Sequence, residues 1–376
     1  MSALVAARKT FELMIYLWGL PEVSDAEAQA KALADAGFTV VDGDEASIDV
    51  LAKHGLKAMV HDPSPETVAR LKGHPALWGY HLGDEPYPEE AFVPIAERRR
   101  DLSAIDSDAH YFVNMLSTTG EFLRTYMKVA EPEILSFDFY QWWWGSDRYF
   151  EKLEEFRHQA VLAQVPLGSC IEVNANPGIE RGDRAYLADN RAKLRQSVYT
   201  NFAYGVKAIE WFSAGILFEP KTAKLAPWGE DVAAINHEIA HLGRALAPLH
   251  TIDVYHTTPL PRGTSESPKE HWVQLIGEED RAGLVYGMFE DDAGTDYLMV
   301  ANRDYDDSQS VTVRLQSKWL GIAPWNEPKS YTYGMEKLDK ISGNWEPVSS
   351  TSFVGFTFVI GPADGELYRI TTNLKP

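Results

Sequence analysis

The 376-residue sequence predicts an α/β protein, a (β/α)8 TIM barrel followed by a small C-terminal antiparallel β-sandwich. Three observations predict it. Eight short apolar runs alternate with amphipathic stretches of helical period, the pattern of parallel strands joined by crossover helices, and eight such units in about 250 residues is the count of a closed barrel. The first run continues into "YLWGLPEV", which lacks the G-x-G-x-x-G turn expected of an open, doubly wound sheet. After a last helix near residues 229 to 248 the texture changes to the turn-rich "TTPLPRGTSESPKE" (257–270) and then to alternating strands without a helix.

In chain order the barrel runs are "LMIYLWG" (13–19), "FTVVDGD" (38–44), "KAMVHD" (57–62), "LWGYHLGDEP" (77–86), "HYFVNML" (110–116), "ILSFDFYQ" (134–141), "PLGSCIEVN" (166–174) and "AIEWFSAG" (208–215). Helix starts are legible between them. Ser24 with Glu27 makes a capping box, and Ser64-Pro65-Glu66 supplies a cap and a first-turn proline. The tail strands are "HWVQLIG", "AGLVYGMFED", "DYLMVANRD", "QSVTVRLQ", "KSYTYGM", "SFVGFTFVIGP" and "GELYRITT". The division is therefore residues 1–256 for the barrel and 257–376 for the sandwich.

Composition narrows the function. With 45% hydrophobic and 12% aromatic residues, the chain can bury one large core and a smaller one. A net charge of -20 disfavours nucleic acid and acidic membrane as partners, because both reward clustered Lys and Arg. The single cysteine, Cys170, rules out an internal disulfide. No apolar run reaches the length of a membrane span, and the N-terminus has no signal-peptide apolar stretch. If a leader was trimmed, the protein is secreted or periplasmic; otherwise it is cytoplasmic.

In a (β/α)8 barrel the chemistry sits where strands end. The strand ends here carry Trp18, Asp44, His61, Asp62, Asp84, Glu85, Asn114, Asp138, Tyr140, Gln141, Glu172, Asn174 and Trp211, with no Lys or Arg among them. Carboxylates and amides bond hydroxyls, and indole faces stack on sugar rings. The ring therefore suits a neutral polyhydroxylated ligand. In "FYQWWWGSD" (139–147), three consecutive indoles cannot all face one core, so Trp142, Trp143 and Trp144 are candidate sugar platforms. Glu172 and Asn174 share strand parity and can both point into the lumen.

A Glu-Pro closing the fourth strand, a Glu on the seventh and a Trp on the eighth resemble the 4/7 superfamily of retaining glycoside hydrolases, clan A. More loosely, "HPALWGYHLGDEP" and "LRQSVYTNFAYGVKAIEWF" resemble members near its β-galactosidase-like branch. The resemblance implies Glu85 as acid/base, Glu172 as nucleophile and Trp211 as the aromatic under the substrate. The strand-end positions and the indole run make Trp18, His61, Asp84, Asn114, Asp138, Tyr140, Trp142, Trp143 and Asn174 the expected substrate-binding groups, and no cofactor or metal is expected. Asp84 stands where the family has Asn, and its charge is expected to raise the pKa of Glu85. A retaining pair should lie about 5 to 5.5 Å apart across an open cleft.

Two other classes compete. A non-catalytic sugar-binding barrel would keep the pocket without the reaction. A zinc hydrolase is suggested by "HEIAH" (237–241), but His237 and His241 fall opposite the apolar stripe Ile235, Ile239, Leu242, Leu246 and Leu249, and Glu238 reads as a solvated helix charge. The expected partner is a carbohydrate substrate, with self-association through a sandwich edge open to the chain.

Overall fold

The computed structural model describes residues 12–20, 23–118, 120–144, 147–175, 184–212, 214–277, 283–315, 331–352 and 355–374. The eight expected strands close into a parallel barrel in sequence order, β1 to β8. The elements run β1 (Met14–Leu17), α1 (Ala26–Asp35), β2 (Val40–Gly43), α2 (Ile48–Lys53), β3 (Lys57–His61), α3 (Pro65–Leu71), β4 (Leu77–Asp84) and α4 (Phe92–Ser103). They continue with β5 (His110–Leu116), α5 (Glu121–Ala130), β6 (Leu135–Asp138), α6 (Gln141–Trp144), α7 (Tyr149–Ala163), β7 (Leu167–Glu172), α8 (Arg184–Ala203), β8 (Val206–Phe212) and α9 (Pro227–Leu246). Ser64 caps α3 as expected, its Oγ accepting from Thr67 N at 3.2 Å. At α1 the cap is Asp25 rather than Ser24, with Oδ1 accepting from Glu27 N and Ala28 N, both at 3.1 Å. A carboxylate one residue nearer the helix takes the orphan N–H groups.

Strand alternation sorts the barrel into two cores. Outward side chains such as Ile15, Leu17, Val41, Tyr111, Phe137 and Ile209 pack under the helices in the larger core. Inward ones, Met14, Tyr16, Val40, Met59, Phe112, Ile134 and Ala208, plug the lumen and leave only its upper end for polar groups.

The tail is a pair of antiparallel sheets around a core that includes Val273, Leu284, Tyr286, Val300, Val313 and Tyr368. One sheet orders β10 (Val273–Ile276), β13 (Gln309–Leu315), β17 (Gly355–Ile360) and β16 (Ser350–Ser352). The other orders β15 (Trp345–Pro347), β14 (Tyr331–Leu338), β18 (Gly365–Leu374), β12 (Asp296–Asn302), β11 (Leu284–Glu290) and β9 (His250–His256). Because β9 pairs with β11, residues 250–256 belong to the tail, and the boundary drawn after 256 falls several residues late. Its "TIDVYH" alternation was masked by the preceding helix.

The tail packs on α8, where Gly287 of β11 lies so close to Ala203 that an added Cβ would meet its carbonyl oxygen. Gly205, at φ +81, ends α8 in a conformation other residues resist. An ion network crosses the same seam. Arg195 Nη2 meets Glu238 Oε1 at 2.6 Å and Asp364 Oδ1 at 3.1 Å, and Lys340 Nζ meets Asp364 Oδ1 at 2.5 Å.

Candidate active site

Parity and irregularity decide what each strand offers the lumen. Strand β4 carries register shifts against both β3 and β5, so it does not alternate simply. Tyr80 and Leu82 pack outward, while Trp78 and His81 contact Phe112 in the lumen and Asp84 meets Asn114. Residues spaced by three thus face one side. At the turn leaving β4, Glu85 holds a left-handed φ of +43, with its N–H donated to Asn114 O at 2.9 Å. A bulky residue in that region stores strain, a feature that clusters at working sites.

The carboxyls converge between β4 and β6. Asn114 Nδ2 donates to Asp84 Oδ1 at 3.1 Å. Asp138, 4% exposed at the end of β6, lies close enough to the carboxyl of Glu85 for the two to interact. Burial first, then the interaction with Glu85 and the charge of Asp84, push Asp138 far above the ordinary carboxylate range. Asp84 is also raised, by burial and by Glu85, while Asn114 and His61 pull it back.

Across the lumen, Asp42 of β2 gathers three donors. Its Oδ2 accepts Gly19 N at 2.7 Å, and its Oδ1 accepts the Tyr16 hydroxyl and lies 2.7 Å from His61 Nε2. Burial works against a charge on His61, but Asp42, with Asp62 and Asp84, raises its pKa on balance. The His81 ring lies 4.4 Å from that of His61 at a tilt of 42°, and burial and His61 hold its pKa down at about 3, so it stays neutral. Trp18 meets the His81 ring edge-on at 4.9 Å. Below them Glu210 of β8 is fully buried, its Oε1 accepting Ser136 Oγ at 2.5 Å, and burial lifts it to about 8.

Glu172 has lumen parity, flanked by the outward-packed Ile171 and Val173, but its carboxylate is drawn beneath α6. Its Oε1 accepts Trp142 N at 2.7 Å, it is 1% exposed, and burial raises it to about 8. The carboxyl that interacts with Glu85 is Asp138, and Glu172 lies under a turn. Tyr140 stacks on Phe212 at 5.2 Å, with Trp143 at 4.9 Å from Tyr140 and its Nε1 donating to Asn174 O. Trp142 turns away, donating Nε1 to Ser197 Oγ of α8 at 2.9 Å and meeting Tyr305 edge-on. The Trp144 side chain lies outside the described residues.

Trp211 is a correction. It is fully buried among the outward side chains and donates Nε1 to Asn236 Oδ1 of α9 at 2.8 Å, so it cannot lie under a ligand. The inward neighbours on β8 are Glu210 and Phe212, one residue to either side. Glu238 is a second correction, because it is bonded by Arg195 and Tyr199 instead of solvated. In the same helix His237 Nε2 contacts Asp35 O and His241 Nδ1 contacts Arg244.

Sequence reasoning missed Asp42, His81, Glu210 and Phe212. Of the acids in "VVDGD" it took Asp44, which instead turns the loop by accepting Ser47 N at 2.8 Å. On the lumen side His81 Nε2, Asn114 Oδ1, Asp138 Oδ1 and Glu210 Oε2 are buried without a protein partner, a demand that water or ligand hydroxyls can meet.

No family model matches the sequence, and no curated protein resembles it. Solved structures do. A GH27 β-L-arabinopyranosidase from Geobacillus stearothermophilus aligns over 96% of both chains with a TM-score of 0.54 at 10% identity. A single-residue variant of that enzyme in complex with arabinose aligns over 97% of this chain and 98% of that one, with a TM-score of 0.52 at 10% identity. The shared feature is the fold, barrel and β-rich tail together.

Proposed function

We propose that the chain is a glycoside hydrolase that cleaves a neutral oligo- or polysaccharide at the barrel mouth with retention of configuration. The observation that carries this reading is the carboxyl set on β4 and β6, in which Asp138 holds a proton against Glu85 while Asp84 stands open to solvent beside an amide donor. Glycosidic cleavage needs these two states together, an acid for the leaving oxygen and an ionised carboxylate for the oxocarbenium-like centre. On this reading Asp138, relayed by Glu85, protonates the leaving oxygen. Asp84 attacks the anomeric carbon, and the deprotonated pair then activates water for release. Tyr140, Trp143, Phe212 and Trp18 supply apolar faces, and the absence of Lys or Arg from the strand ends supports a neutral sugar. The fold it shares with an arabinopyranosidase supports the reaction class without fixing the sugar.

A second reading keeps the pair implied by the 4/7 resemblance, Glu85 as acid/base and Glu172 as nucleophile. What favours it is that Glu172 ends β7 and receives the N–H of Trp142, a fixed dipole that can steady an anion. It requires α6 to lift from a residue that is 1% exposed. A panel of aryl glycosides with the anomer of the product followed by NMR tests the reaction, and no turnover by the wild type on any member would leave the non-catalytic sugar-binding barrel. Asp84→Asn and Glu172→Gln then separate the two readings: the true nucleophile's variant loses turnover on every substrate, activated ones included.

A further inference from the structure

The rim carries a second aromatic face, away from Tyr140 and Phe212. Tyr87 lies in the loop between β4 and α4, two residues after Glu85, and is 73% exposed. That loop belongs to the face of a (β/α)8 barrel where the strands end. A lone exposed ring is unremarkable on a protein surface, but this one is rooted. Its ring centroid is 5.8 Å from that of Phe122 on α5, with 31° between the planes. Phe122 in turn meets the fully buried Phe92 of α4 at 4.9 Å, and Phe92 meets the fully buried Tyr126 at 5.3 Å. The loop is also tied down just before the ring, by Glu85 N on Asn114 O at 2.9 Å and by the buried Pro86. One face of Tyr87 is thus held against Phe122, and the other is offered to solvent.

We infer that this free face, backed by Phe122, is a subsite for the sugar unit on the leaving-group side of the scissile bond, so that the substrate is a neutral saccharide chain that continues past the point of cleavage. This rests on the proposed function, and on the step its two readings share, in which Glu85 meets the leaving oxygen. Residues 85 and 87 are at most about 7 Å apart at Cα, so the unit joined to that oxygen passes over position 87. The order around the rim agrees. Tyr87 and Phe122 follow β4 and β5, the acids Asp84, Glu85 and Asp138 stand at the tips of β4 and β6, and Tyr140 and Phe212 lie beyond them after β6 and on β8. The acids therefore have an aromatic surface on either side. Charge selects the kind of chain. Glu85, Glu89 and Glu90 are all exposed beside the ring, where they accept from hydroxyls and repel a chain of uronates, and Arg124 of α5 is paired with Glu121 at 2.9 Å. A single exposed ring face matches the C–H face of a pyranose, which needs no second wall.

The test compares a leaving group that reaches Tyr87 with one that does not. In the full-length protein, kcat/KM is measured on xylohexaose, laminarihexaose and cellohexaose and on glycosyl fluorides, whose leaving group is a single atom. Tyr87→Ala should lower the ratio of hexasaccharide to fluoride kcat/KM by about three- to tenfold, the size of one aromatic contact, and Tyr87→Trp should restore it. A ratio equal to that of the wild type overturns the inference and leaves the glycosidase reading in place. If the wild type turns over nothing, calorimetric binding of the same hexasaccharides decides. Weaker binding by Tyr87→Ala then keeps the sugar platform and defeats the glycosidase reading alone. Equal binding by the variant, or failure of the wild type to bind or cleave any of the three chains, overturns the inference.

Discussion

With its carboxyl fully buried, one oxygen bonded by Ser136 and its pKa at about 8, Glu210 is an acid that stays uncharged through most of the neutral range. Its folded pKa lies above its unfolded value, so the unfolded state releases the proton first, and the barrel loses stability as pH rises from about 4.5 toward 8. Glu210→Gln should therefore melt at a higher temperature than the wild type, with the gap small at pH 5 and wide at pH 8. Calorimetry at the two pH values checks it, and a constant gap would mean that packing rather than charge sets the difference. Asp138 is read by leaving-group chemistry. Asp138→Asn should slow substrates with poor leaving groups by about 10²–10⁴-fold while sparing activated aryl glycosides, which need no proton. Equal losses on both would remove it from the acid role.

Elements, more than residues, explain what the sequence made legible. All eight barrel strands and the tail's change of texture were readable, because period-two and period-3.6 patterns follow directly from burial. Lumen-facing positions were readable only where alternation is regular and the strand end is unambiguous, as at Asn114 and Asp138. On β4 two register shifts move the lumen positions to Trp78, His81 and Asp84, and no periodic rule finds them. On β8 a single step of parity separates the conspicuous Trp211 from the inward Glu210 and Phe212, and nothing in "IEWF" says which face is which. The lumen parity of Glu172 was readable, but the turn that covers it, α6, is four residues long and leaves no helical period. Since Trp211 ties β8 to α9, Trp211→Phe should cost about 1 to 3 kcal/mol through the unpaired Asn236. kcat should be unchanged. A fall in kcat with normal stability would return Trp211 to the site.

For the molecule as a whole, the seam between barrel and tail is held by ions as well as by packing. Burial disfavours a charged Glu238, but Arg195 and Tyr199 outweigh it and lower the pKa. A depressed carboxylate stabilises fully above its unfolded pKa, near 4.5, and that contribution is lost as pH falls through the folded value. Glu238→Gln should thus destabilise the chain at pH 7, and the difference from wild type should shrink below about pH 4. Chemical denaturation at pH 7 and pH 3.5 measures it; an equal difference at both would assign the loss to shape.

The contact of Gly287 with Ala203 has a mechanical reach. Helix α8 ends at that contact, and roughly a turn and a half earlier the same rod holds Trp142 through Ser197, with α6 resting on Glu172. A methyl group at position 287 is a wedge driven under one end of a lever whose other arm is the cover over Glu172. The tail is thereby geared to the turn that roofs Glu172.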